Sequence, residues 1–172
     1  SKEDRHLVVE KLKELGYVDD LHYAKSFVND QINFTKTGPM VIMMKLKEKK
    51  ISDELIQEAL AGYSQELELK NAQKIAEQYL NKTQKIPYGQ KLQKLRNHLH
   101  QKGFLPETIS QIMANVPENP QEKEDKELLL EMGEKAFVTY GKDPFKKKQK
   151  VKAFLYRKGF PLEDIQEFID NY

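Results

Sequence analysis

The chain has 172 residues, with 29 Lys plus Arg against 27 Asp plus Glu, so it holds one large domain or a few small modules with much charged surface. It contains no Cys, which excludes disulfides, thiolate zinc sites, iron–sulfur clusters and a cysteine nucleophile. No apolar run approaches the roughly 18–20 residues of a membrane span, and Ser1-Lys2-Glu3-Asp4-Arg5 does not read as a signal peptide. The expected setting is therefore cytoplasmic, with no membrane partner. The start lacks Met and opens close to a helical pattern, so upstream sequence is expected to be missing.

Leu7, Val8, Leu12 and Leu15 recur at helical spacing and Gly16 closes them, which predicts that residues 1–18 carry the last helix of a truncated preceding unit. Asp19-Asp20 then opens a helix through Tyr23, Ala24, Phe27 and Val28. Gly38-Pro39 opens a second, since proline at the first helical position loses only an N–H that would be unpaired anyway. That helix ends at Lys49-Lys50-Ile51 and is followed by a short acidic one with Leu55, Ile56, Ala59 and Leu60.

The same order returns twice. A helix over about 65–80 precedes Ile86-Pro87, a basic stretch with Tyr88, Leu92, Leu95 and Leu99, the closure Lys102-Gly103-Phe104, and a helix with Ile109, Ile112 and Met113. Asn119-Pro120, as cap and first helical residue, opens a helix to about Tyr140. Asp143-Pro144 then starts another basic stretch, which closes at Lys158-Gly159-Phe160 before Ile165, Phe168 and Ile169. Glycine at each closure suits a left-handed terminating position, which Lys50 occupies in the first copy at some conformational cost. Strand alternation and Asn-Gly or Asp-Gly hairpin signals are absent. The reading is an all-α, elongated tandem array of three-helix repeats over 19–63, 64–116 and 117–172.

Charge is distributed unevenly along this repeat. Residues 35–50, 85–103 and 142–158 carry +4, +5 and +7, Lys142 included, so the remainder carries −14 against a net of +2. Helical spacing puts Lys146, Lys150 and Arg157 opposite Val151, Phe154 and Leu155, and lines up Lys91, Lys94, His98 and Lys102 beside an apolar face. If the units stack in register, such stripes join into a cationic surface suited to a phosphate backbone or a repetitive acidic protein surface. Lysine-rich faces are commonly only solvated; recurrence in the same slot favours the functional reading. The first middle helix, Pro39-Met40-Val41-Ile42-Met43-Met44, is apolar almost all round and is expected to be packed in the core rather than to form an adaptable patch.

Catalytic patterns are missing from the sequence. The eight glycines form no nucleotide-binding loop. His98 and His100 are two apart on a predicted helix, so they face different directions and suit no shared metal. Asp19-Asp20 and Glu163-Asp164 start helices, where the macrodipole favours negative charge. Tyr23, Tyr88 and Tyr156 read as core-edge residues rather than base-stacking platforms. A non-enzymatic binding protein without cofactor or metal is expected. A free-standing DNA-binding module, mimicking helix-turn-helix domains, and a helical-repeat protein-interaction scaffold remain alternatives.

The run Leu12-Lys13-Glu14-Leu15-Gly16-Tyr17-Val18-Asp19-Asp20-Leu21-His22-Tyr23-Ala24 resembles the leucine–glycine–aromatic–x–aspartate–aspartate–x–x–tyrosine–alanine segment of the RecX family. Gly38-Pro39 with Ile42, Leu46 and Lys49-Lys50-Ile51 is similar to the family's second signature, which normally closes on Lys-Gly-Ile. Lys102-Gly103-Phe104 and Lys158-Gly159-Phe160 fit its later units. The resemblance implies tandem three-helix repeats that lie in the groove of the RecA–DNA filament, block its growth or promote disassembly, and damp ATP hydrolysis, strand exchange and coprotease activity. It implies DNA binding in many members and transfers no catalytic motif. The residues expected to contact RecA or DNA, in a monomeric protein, are Lys45, Lys47, Lys91, Lys94, Lys102, Lys146, Lys147, Lys150, Lys152 and Arg157.

Overall fold

Prolines, caps and glycines set the limits of most helices. The computed structural model describes residues 2–14, 19–82, 85–140 and 143–172; the expected cap at Gly16 and the charge of Lys142 lie outside the described residues. Among the described residues there is no strand, and the fold is all-α. The helices are α1 (Lys2–Glu14), α2 (Asp20–Asp30), α3 (Pro39–Glu48), α4 (Asp53–Leu60), α5 (Gln65–Leu80), α6 (Tyr88–Gln101), α7 (Pro106–Ala114), α8 (Glu122–Thr139), α9 (Pro144–Arg157) and α10 (Leu162–Asp170).

Helix starts follow the expected chemistry with two shifts. Asp19 caps α2 by accepting the His22 N–H at 2.8 Å, and Asp143 caps α9 by accepting those of Phe145 and Lys146. Pro39 and Pro144 are the first residues of α3 and α9. Pro87 instead precedes α6, because its carbonyl already accepts the first helical bond, from Lys91 N–H at 3.0 Å. Helix α8 starts at Glu122 rather than Pro120. The Asn119 side chain accepts the Gln121 N–H at 3.0 Å, which makes a turn over Pro120, and Gln121 becomes the cap. One element has no counterpart in the sequence reading: α2 runs on into a π-helical turn, Gln31–Thr35, ended by Lys36 in the left-handed conformation (φ 49°).

The three closures are alike in detail. Lys50, Gly103 and Gly159 have φ of 63°, 82° and 89°. The N–H of the next residue reaches back five positions in every copy: Ile51 to Leu46, Phe104 to Leu99 and Phe160 to Leu155. The left-handed residue reaches back three, Lys50 to Lys47, Gly103 to His100 and Gly159 to Tyr156. This double bond satisfies carbonyls that a helix end leaves open, and the apolar residue packs on the last turn. Accordingly Ile51, Phe104 and Phe160 are buried along with Leu46, Leu99 and Leu155.

By backbone contacts the chain forms two compact units, Ser1–Ile75 with Leu99–Ile112, and Ala76–His98 with Met113–Tyr172. In the first, Ala24, Val28, Ile42, Leu46, Ile56 and Ala59 build a core from α2, α3 and α4. Here the start of α3 meets the closure of α6. Gly38 N–H donates to the Lys102 carbonyl at 2.7 Å and Met40 N–H to that of Gly103 at 3.1 Å. A Cβ at Gly38 would sit 2.2 Å from the Gly103 carbonyl carbon, so only glycine permits this approach. In the second unit Leu129, Phe137, Val151, Leu155, Phe160 and Ile165 join α8, α9 and α10. There Gly89 meets Gly159 in the same way, a Cβ on Gly89 falling 2.2 Å from the Gly159 carbonyl oxygen.

Two apolar segments are less covered than the sequence suggests. Val41 of α3 packs on the Gly103 closure, but Met40 and Met44 stay about half-exposed, so the helix is not sandwiched on all sides. In α1, Leu7, Val8, Val9 and Leu12 are all exposed.

Closure geometry gives a paired prediction. Lys50→Gly, which removes a side chain from a left-handed residue, raises stability by about 1 kcal/mol in urea unfolding. Gly38→Ala, which drives a methyl group into backbone, lowers it by about 2–3 kcal/mol. An unchanged midpoint for Gly38→Ala would show that the start of α3 and the closure of α6 can separate freely.

Candidate cationic interface

Two carboxylates that the sequence groups with the acidic surface are in fact buried. Glu68 of α5 accepts the Leu105 N–H at 2.8 Å, at the start of α7. Asp125 of α8 accepts the Tyr88 N–H at 2.8 Å, at the start of α6, and the side-chain amides of Asn119 and Gln121 at 3.0 and 2.7 Å. Negative charge suits a helix N-terminus, where N–H groups lack internal partners. The Tyr88 hydroxyl donates to the Pro117 carbonyl at 2.9 Å, and burial pushes its pKa above the usual phenol value. The Asp125 bond fixes the start of α6 and with it the direction of the lysines on that helix.

The basic helices use their charges differently. On α3, Lys45 donates to Gln31 Oε1 at 3.1 Å, and Lys47 pairs with Asp53 at 2.9 Å. On α6, Lys94 is exposed with no ion pair among the described residues, whereas His98 is half-buried against the Tyr79 ring. Lys102, half-buried, donates to the Thr35 carbonyl at 3.4 Å.

On α9, Lys147 lies 5.8 Å from the Phe137 ring centre and Lys152 donates to Gln166 at 2.6 Å. Lys146, Lys150 and Arg157 are exposed on the side away from Val151 and Leu155. Lys146 is 4.0 Å from Asp143; Lys150 and Arg157 make no ion pair among the described residues. The stripe on α9 is thus the most open of the three.

Two expectations need correction. Lys91 does not stand on a solvent-facing stripe: it is only 6% exposed. The Asp125 bond to Tyr88 holds the first turn of α6 against α8, and residue 91, three positions on, falls on the covered flank. It lines a cleft of about 450 Å³ with Ile86, Leu128 and the acidic side chains of Glu124, Asp125, Glu127 and Glu131. Tyr156, expected at the edge of the core, is 59% exposed, because it lies on the solvent face of α9 beside Arg157. Tyr23 and Tyr88 do pack, Tyr23 on Phe27 at 6.1 Å and Tyr88 in the interior.

At the cleft rim, Glu131 takes Lys135 at 2.7 Å and Lys85 at 3.2 Å. The hydrogen bond from Lys135, then that from Lys85, holds its carboxyl below the ordinary carboxylate range. This support is present above that range and is lost as pH falls through the lowered pKa. Both lysines are largely exposed, so its contribution is small.

Comparison with known proteins places this geometry in a family context. Residues 19–60 match the model of the RecX second three-helix domain and residues 123–169 that of the RecX third three-helix domain. The chain is 35% identical over 165 residues to the regulatory protein RecX of Bacillus pumilus, covering 95% of this chain and 63% of that protein. It is 34% identical over 170 residues to that of Enterococcus faecalis, covering 98% and 64%. The chain therefore spans a little under two thirds of the curated relatives it matches. The crystal structure of RecX from Lactobacillus salivarius superposes with a TM-score of 0.59 at 30% identity, covering 63% of this chain and 71% of that one.

The position of Lys91 carries its own test. Lys91→Met keeps the packing of the stem and removes a desolvated ammonium, so the urea midpoint stays level or stability rises by about 1 kcal/mol. A loss beyond about 2 kcal/mol would mean that this ammonium makes a bond the fold needs.

Proposed function

This chain belongs to the RecX family, and from that membership we propose that it is a non-enzymatic, monomeric, cytoplasmic regulator of RecA. It binds the RecA–DNA filament, and DNA itself, through the basic helices, and lowers filament growth, ATP hydrolysis and recombinase and coprotease activity. The observation that carries this reading is the open stripe of α9, where Lys146, Lys150 and Arg157 project from a helix whose opposite face is locked in the core. Cations held this way face a polyanion without first breaking strong internal pairs. Lys94 and Arg96, exposed on α6, supply the same charge there. Lys45, Lys47, Lys91 and Lys102 are engaged or buried within the fold, so they support the surface more than they form it.

Adding the chain to RecA on single-stranded DNA is expected to lower ATP turnover at substoichiometric ratios. No inhibition at one chain per RecA would reject the proposal. Lys146→Glu, Lys150→Glu and Arg157→Glu together weaken inhibition about tenfold or more at unchanged helicity. They also reduce the salt dependence of DNA binding by a log–log slope of about 2, from roughly 0.7 per lost contact on a single strand. Full inhibition by the triple variant would move the contact off α9.

A further inference from the structure

We propose that the solvent face of α9 binds single-stranded nucleic acid by stacking bases on Phe145 and Tyr156, between phosphate contacts to Lys146, Lys150 and Arg157. The proposal rests on the reading of α9 as a cationic contact and adds to it the chemistry of what lies on that face.

Phe145 is 72% exposed and Tyr156 59%, and neither ring touches another aromatic among the described residues. The other aromatics of this unit do otherwise. Phe137, Phe168 and Tyr172 form one cluster, and Tyr140 meets Phe154 edge-on. Two large rings held in water, on a helix whose other large apolar residues, Val151, Phe154 and Leu155, are used in packing, forgo a burial that the core offers their neighbours.

Their placement is ordered. Eleven residues separate them, three helical turns within about 20° of one line and about 16 Å along the axis. Lys146, Lys150 and Arg157 occupy the adjoining sector of the same exposed side, with Gln149 and the small Ala153 between. Rings flanked by a row of cations match a strand that offers base faces on one side and phosphates on the other. A duplex hides its base faces and presents phosphate alone, and an acidic protein surface offers carboxylates without flat rings.

At the lower end, Tyr156 and Arg157 line an open groove of about 700 Å³ with Gly89, Gln93 and Asn119. The exposed side-chain amide of Gln93 there can bond base edges. The Asp125 carboxylate in the same groove is taken up by three donors and does not confront the strand with an unshielded charge.

The test uses the whole chain, without RecA, and three probes: oligo-dT, an abasic strand of equal length, and a duplex. Oligo-dT binds about tenfold or more tightly than the abasic strand. The Phe145→Ala/Tyr156→Ala pair lowers oligo-dT affinity by about tenfold or more, while binding of the abasic strand and duplex changes less than about twofold. Tyr156→Phe retains binding, and Lys150→Glu weakens all three probes. Thermal melting of each variant confirms that the fold is kept.

Equal binding of oligo-dT and the abasic strand, oligo-dT binding unaffected by the double substitution, or no binding of oligo-dT would overturn the proposal. RecA ATPase separates the two readings. Inhibition retained alongside any of those results leaves the RecA assignment standing and removes only base stacking from α9.

Discussion

A helix end is a chemical problem, because its last carbonyls and the first amides of whatever follows must find partners. In this protein one helix end solves the problem for another. The closure of α6 turns through a left-handed glycine and presents the Lys102 and Gly103 carbonyls to the amides that begin α3. Opposite ends of two helix dipoles meet there, so electrostatics and hydrogen bonding act together. Because the joint is backbone on backbone, it tolerates no methyl group at Gly38 and fixes where α3 starts. Gly89 and Gly159 repeat the approach in the second compact unit. These joints and the Asp143 cap of α9 set which lysines face water.

Electrostatics within this frame divides by environment rather than by charge count. The +4 of the first basic segment is partly taken up by contacts with the protein's own residues, Lys45 with Gln31 and Lys47 with Asp53. Acidic residues split likewise: Glu68 and Asp125 cap helices from within, while Glu122 and Glu131 pair with neighbouring lysines in water. The near-neutral total therefore hides one helix, α9, whose charges stay open along most of one side.

Much of the fold was legible in the sequence, because its signals are local. The Asp19 cap, the proline starts of α3 and α9, and the left-handed closures at Gly103 and Gly159 each lie within a few residues of the bonds they make. Even the conformation of Lys50 could be read from its alignment with the two glycines. Long-range bonds were not legible: nothing near Gly38 points to a partner 64 positions away, and no charge count separates Asp125 from the glutamates beside it. Those missing bonds explain the errors at the site. Lys91 reads as exposed because the bond that covers its flank comes from α8, and Tyr156 reads as a core-edge residue because an aromatic beside an apolar face usually packs there. The π-helical turn after α2 also escaped, since its sequence, Gln31–Thr35, carries neither glycine nor proline.

A joint made of main chain has no vocabulary of side chains. Where Gly38 meets Gly103, the joint between the start of α3 and the end of α6 reads shape and amide geometry only, so lysines, aromatics and carboxylates elsewhere on either helix can be exchanged without re-specifying the junction. A helix pair keeping these glycines would still dock while its outer surface drifts toward another ligand. That separation of assembly from surface chemistry lets α3 tie Lys45 and Lys47 to its neighbours while α9 leaves Lys150 and Arg157 open to solvent.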